Sequence, residues 1–186
     1  MGTYELRPLP EQLAALLAGE RPDALDLVAR EHASWHELHD RLIAIIVAFL
    51  DDAVERGEEL GPLLERVVGR SSVGVDALVG QVPAPEAVAT LLRAHHSVGT
   101  GADEPDGTAV FDHACGTGLA WWRANPDAPT VADGEVAGVP GGVPRYCARC
   151  ITTIDSFSGG RWRVRPPAGP AGTCRWEVDR AGPSPA

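Results

Sequence analysis

Residues 147–178 read Cys147-Ala-Arg-Cys150-Ile-Thr-Thr-Ile154-Asp-Ser-Phe-Ser158-Gly-Gly-Arg-Trp162-Arg-Val-Arg165-Pro-Pro-Ala-Gly-Pro-Ala-Gly172-Thr-Cys174-Arg-Trp-Glu-Val178. Two pieces of it, Trp162–Arg165 and Cys174–Val178, alternate apolar and polar side chains, as a strand with one buried face does. Cys150–Ile154 is β-branched and strand-like. Ser158–Arg161 reads as a turn and Pro166–Gly172 as a loop. Upstream, Thr108–Asp112 reads as a strand leading into Cys115. Asn125–Pro144, rich in glycine and proline, reads as a loop, and Thr100–Gly107 as an acidic linker. The expectation is a small antiparallel sheet over residues 107–180.

The first 106 residues carry a helical pattern. Pro10–Leu17 is a short helix, broken at Gly19–Pro22. A long helix starts near Asp23, a suitable N-cap, and runs to about Arg56 before Gly57. Its apolar residues Leu27, Trp35, Leu38, Leu42, Ile45, Ile46, Phe49 and Val54 mostly recur at steps of three and four, which predicts a core face. Leu60–Val68 and Pro85–His95 are further helices, with Pro85 fitting a first turn. The fold class is α+β: a helical half, residues 1–106, followed by a cysteine-rich β half, 107–180, packed on it as one domain. Residues 181–186 read as a disordered tail.

All four cysteines fall between residues 115 and 174. Cys147 and Cys150 form a Cys-x-x-Cys pair, and the remote Cys115 and Cys174 can complete a tetrahedron around zinc. Iron or an iron–sulfur cluster is the alternative for such a donor set. Four thiolates on Zn²⁺ carry a formal charge of −2, and Arg145, Arg149 and Arg175 beside the cysteines are placed to offset it. Gly116 and Gly118 allow backbone amides close to Cys115. His113-Ala-Cys115 ahead of Cys-x-x-Cys is superficially similar to zinc deaminases. Those need His-x-Glu, and Cys115 stands in the glutamate place, so that chemistry is excluded. His113 remains able to replace one cysteine as a ligand.

Cys115–Gly118, Gly142–Cys150 and Cys174–Trp176 together resemble an uncharacterised bacterial family with a helical N-terminal half, and Trp35–Asp40 resembles that half. Its members often carry histidine between the paired cysteines, where this chain has Arg149. The overall plan is also weakly similar to aminothiazoline-carboxylate hydrolase-like proteins and vinyl-reductase-type ligand-binding domains. The first resemblance implies no established activity.

His32, His36 and His39 recur at i, i+4 and i+7, on one side of the long helix. His95 and His96 end the last helix of the first half. Where two such helices meet they can hold a second metal or an acid–base pair. His39 and His96 are the catalytic candidates, with Asp40 or Glu37 orienting an imidazole. Polar histidines on a solvated face are the simpler reading.

The net charge of −10 argues against a nucleic-acid partner. Residues 1–106 hold 19 acids against eight arginines, and residues 107–186 hold seven against eight. The chain has no lysine, which excludes lysine Schiff-base and Walker-type chemistry. No apolar run reaches the roughly 20 residues of a membrane span, and the N-terminus has no signal core. A cytoplasmic protein with reduced cysteines is expected. Gly116-Thr-Gly118 is too short for a dinucleotide loop, and Ser34, Ser71 and Ser72 lack a nucleophile-elbow context. Trp121 and Trp122 suit a pocket wall or the core. The functional expectation is a zinc-binding protein whose four-cysteine site braces a small-molecule-binding domain. A metal-dependent hydrolase or lyase with histidine as proton carrier is the alternative, and a thiol redox or metal sensor the third. The expected partners are a small-molecule ligand or substrate and a second copy of the chain.

Overall fold

The computed structural model describes residues 3–6, 11, 13, 14, 22–71 and 83–179. Five antiparallel strands form one sheet: β1 (Thr3–Leu6), β2 (Val98–Asp103), β3 (Thr108–Ala114), β4 (Trp162–Arg165) and β5 (Cys174–Asp179). Their spatial order is β1-β2-β3-β5-β4. In the central ladder Ala109 faces Val178, Phe111 faces Trp176 and His113 faces Cys174. Directly opposed residues share a face, so these six look the same way. Asp112, Arg165, Arg175 and Glu177 form ion pairs instead, with Arg175–Asp112 at 3.0 Å and Arg165–Glu177 at 2.8 Å.

Five helices complete the described fold: α1 (Pro22–Glu55), α2 (Leu60–Ser71), α3 (Ala84–Ala94), α4 (Gly118–Ala124) and α5 (Arg145–Ser158). Ala87, Val88 and Leu92 of α3 and Ile154 of α5 pack with Ala109, Phe111, Trp162, Trp176 and Val178 of the sheet. A second cluster joins Leu50 and Ala53 of α1, Leu60, Leu63 and Leu64 of α2, Leu119 and Trp122 of α4, and Ile151 of α5. Val131, Val136, Val139 and Val143 close it from the loop before α5. Burying a large side chain in such clusters contributes about 1.5–3 kcal/mol. Gly57, at φ 89°, ends α1, where Glu58 N–H donates to Ala53 O at 3.0 Å.

The α+β class stands, but helices and strands are interleaved. Strands β1 and β2 lie before residue 106, and α4 and α5 after it. The boundary at 106 falls in the turn between β2 and β3. Cys150–Ile154, read as a strand, is helical. Ile151 and Ile154, three residues apart, are buried on one side of α5, and the Thr152 hydroxyl donates to Ala148 O at 3.0 Å. Tertiary packing overrides the β-branched local preference. Residues Thr100–Asp103, read as linker, belong to β2, which pairs with β1 on one side and β3 on the other. The helix read over Pro10–Leu17 lies outside the described residues except for 11, 13 and 14, which are helical. The tail 181–186 lies outside them as well.

The core face of α1 matches the reading only in part: Ile46 and Val54 pack against the core. Leu38, Leu42, Ile45 and Phe49 are 59%, 50%, 51% and 69% exposed, while Ile43, Val47, Leu50 and Ala53 are buried. The helix carries two apolar stripes, and α2, α4 and α5 cover the one that runs through Ile43, Val47, Leu50 and Ala53. No helix of the described residues is long and apolar enough to cross a membrane.

Candidate metal-binding site

The four cysteines come from three separate segments that border one cavity. Cys115 follows β3 and precedes α4, and its sulfur lies 3.0 Å from the Thr117 hydroxyl. Cys147 and Cys150 stand three residues apart near the start of α5, on one side of that helix. Cys174 opens β5 opposite His113. All four line a single cavity of about 140 Å³, with His95, His113, Tyr146, Arg149, Phe157 and Trp176 also on its wall. All four are free thiols and partly buried. Among the described residues no three sulfurs come within 4.8 Å of one another.

Two glycines allow this convergence. A Cβ on Gly116 would sit 2.3 Å from His96 O and 2.5 Å from His95 O, so a bare backbone is required where the Cys115 loop crosses the end of α3. A Cβ on Gly118 would meet the Tyr146 ring at 2.9 Å and the Cys147 sulfur at 3.4 Å.

Burial favours the neutral thiol at Cys147, Cys150 and Cys174. Burial, then the neighbouring cysteines, pushes Cys147 and Cys174 up, and burial followed by Cys115 pushes Cys150 up to about 12. Desolvation disfavours an uncompensated thiolate, and a bound cation reverses that balance. Arg149 lines the cavity and lies 5.6 Å from the Tyr146 ring centroid. Arg145 and Arg175 are engaged elsewhere. Arg145 pairs with Asp51 of α1, and Arg175 pairs with Asp112 and Glu177. Arg123, which the sequence did not single out, acts on Cys174 and lowers its pKa, against the larger effect of burial. Its guanidinium donates to Pro170 O at 2.7 Å and Gly172 O at 3.0 Å, in the loop before Cys174.

The six histidines of the chain gather beside the cavity in two groups. His95 and His113 line it; His32, His36, His39 and His96 cluster with Trp35. His113 is buried, neither ring nitrogen has a hydrogen-bond partner among the described residues, and burial followed by His95 pulls its pKa down to about 4. His95 donates from Nδ1 to Leu91 O at 2.8 Å. His96 ends α3 in a left-handed conformation, φ 51°. Its ring stacks on Trp35 at 3.7 Å and on His32 at 4.2 Å. Burial, then its histidine neighbours, lowers its pKa to about 4. His39 stacks on Trp35 at 4.7 Å, and burial followed by His95 holds its pKa below the usual value.

The catalytic candidates His39 and His96 therefore sit together around Trp35 and do not line the cysteine cavity. The histidines that do are His95 and His113. Adjacency to His96 and to Cys147 was the available sequence signal for His95 and Tyr146. Comparison with protein-family models, with curated proteins and with solved structures finds no match for this chain.

Proposed function

We propose that this chain is a zinc-binding protein in which Cys115, Cys147, Cys150 and Cys174 close around one ion and brace α5 against β3, α4 and β5. The observation that carries the reading is that four cysteines from three segments line one small cavity. The donor set fits the metal: four free thiols, Arg149 on the cavity wall and Arg123 near Cys174 to offset the charge, and no disulfide among the described residues. A tetrahedral zinc–thiolate centre, with bonds of about 2.3 Å, holds its sulfurs about 3.8 Å apart. Loading therefore draws the sulfurs inward. Zinc also supplies the energy for deprotonating Cys147, Cys150 and Cys174, which burial otherwise holds neutral.

The cavity volume favours a bracing role over a metabolite site. Organic ligands usually occupy about 300–1,000 Å³, against about 140 Å³ here. The enzyme reading would use His95 or His113 as the proton carrier, because those rings share the cavity with the sulfurs. A homo-oligomer would use the exposed row Leu38, Leu42, Ile45 and Phe49, whose steps of four, three and four residues are those of a two-helix seam.

Elemental analysis of purified protein tests the proposal. At least one zinc per chain is expected, and Cys147→Ser and Cys150→Ser should each hold one ion fewer than the wild type. A chain that stays metal-free after reconstitution under reducing conditions would overturn it.

A further inference from the structure

The histidine group outside the cysteine cavity has a geometry of its own. His32, His36 and His96 each offer a ring nitrogen, and these atoms lie within 4.8 Å of one another. Among the described residues this is the only set of three or more histidine, cysteine or carboxylate groups so close. His32 and His36 stand one turn apart on α1. The third ring arrives from the end of α3, carried by the only described non-glycine residue with a positive φ. That conformation costs energy in an L-residue, and such residues collect where position matters. Nδ1 of His32 and Nδ1 of His96 are buried without a hydrogen-bond partner among the described residues.

We infer that His32, His36 and His96 form a second metal site, a three-imidazole site for a divalent transition-metal ion of borderline softness such as Zn²⁺, Co²⁺ or Cu²⁺. Imidazole suits this class of ion, and calcium or magnesium would prefer oxygen. Bonds of about 2.0–2.1 Å to zinc need nitrogens about 3.4 Å apart, so the three donors must contract modestly. His32 and His96 are also stacked nearly parallel, at 9°. Parallel rings aim their lone pairs past a common point, so one ring must turn about its Cβ–Cγ bond on capture. A turn of the His96 ring would disturb its stack on Trp35, and a turn of His32 would uncover the other face of His96. Three protein ligands leave a fourth position for water or an external ligand, the arrangement of an open site. The acid-rich half that carries these histidines favours a dication.

The site is independent of the cysteine proposal, and cobalt separates the two. Thiolate ligands give Co²⁺ an intense sulfur-to-metal charge-transfer band, and imidazoles do not. The full chain without an affinity tag would be titrated with Co²⁺ while absorbance and tryptophan fluorescence are recorded. Two ions are expected: one with the sulfur band, and one without it whose binding changes tryptophan emission. In His36→Gln and in His32→Gln, each checked for helical content by circular dichroism, the second ion should bind at least tenfold more weakly while the sulfur band persists. Unchanged stoichiometry and affinity in both variants would overturn the inference, as would wild type binding only the sulfur-ligated ion. A single ion without the sulfur band, lost in both variants, would support this site and count against the cysteine one.

Discussion

Cys174 stands directly opposite His113 across the β3–β5 ladder, and both residues line the cysteine cavity. A sulfur and a ring whose two nitrogens have no hydrogen-bond partner among the described residues are thereby held side by side. If the four sulfurs are the ligands, an N–H of His113 is placed to donate to the Cys174 thiolate. His113→Leu should then keep one zinc per chain with about tenfold weaker affinity, the scale expected on losing an outer partner of a ligand. Cys174→Ser should lose the ion. Competition with a chromogenic chelator measures both. Loss of zinc in His113→Leu with retention in Cys174→Ser would instead assign the ligand to the histidine.

Chelation should destabilise the wild-type protein. An ion present at a thousand times its Kd stabilises the folded state by about 4 kcal/mol, or roughly 10 °C in Tm for a chain of this size. Adding EDTA should lower the wild-type Tm by at least that amount and lower the Tm of Cys150→Ser by clearly less. Equal responses of the two proteins would show that the chelator acts elsewhere.

Gly116→Ala tests the contact between the Cys115 loop and the end of α3. The added carbon would fall 2.3–2.5 Å from two backbone carbonyl oxygens, which cannot swing aside as a side chain can. A loss of about 2–3 kcal/mol in urea unfolding is expected. Gly134→Ala, where open space surrounds the Cβ but φ is 76°, isolates the cost of backbone conformation and should lose only about 1 kcal/mol.

Arg145 and Asp51 form a largely buried pair that ties α5 to α1. Removing either partner leaves a charge in a poorly solvated place, so Arg145→Met and Asp51→Asn should each cost about 2 kcal/mol. The double variant should cost less than the two singles together. Additive losses would show that the pair is not coupled.

Glu177 gives a pH signature. Its carboxyl pKa is lowered, first by the hydrogen bond from Arg165 and further by the Arg165 charge and by Arg175, against a smaller opposing effect of burial. The folded value thus lies below the unfolded one of about 4.3. The stabilisation is fully present above that pH and disappears as pH falls through the folded value. Glu177 is half-buried but its main partner Arg165 is 61% exposed, so solvent screens the pair and the contribution stays under about 1 kcal/mol. The stability gap between wild type and Glu177→Gln, measured by urea unfolding at pH 7 and at pH 3, should narrow at the lower pH.

Helices α1, α2 and α3 and strands β3, β4 and β5 were legible because their periodicity is local. The rest was decided by neighbours. Gly99 and Gly101 weaken the strand signal of β2, yet β1 and β3 supply hydrogen bonds on both its edges. The Ile-Thr-Thr-Ile154 run favours a strand in isolation, but in α5 it places Ile151 and Ile154 in the core. Which stripe of α1 is covered depends on where α2, α4 and α5 dock, and spacing alone cannot decide that. At the site, the four cysteines could be named from Cys-x-x-Cys and its flanks. Their meeting with His95 and His113 needed the β3–β5 register and the close approach at Gly116. The spacing of His32 and His36 was visible in one helix, whereas the third ring depends on the left-handed turn at His96.

The central claim concerns the atoms around the zinc, and X-ray absorption at the zinc edge of protein loaded with one equivalent reads them directly. Four sulfur neighbours at about 2.3 Å are the expected result. A shell of nitrogen and oxygen alone at about 2.0–2.1 Å would contradict the account.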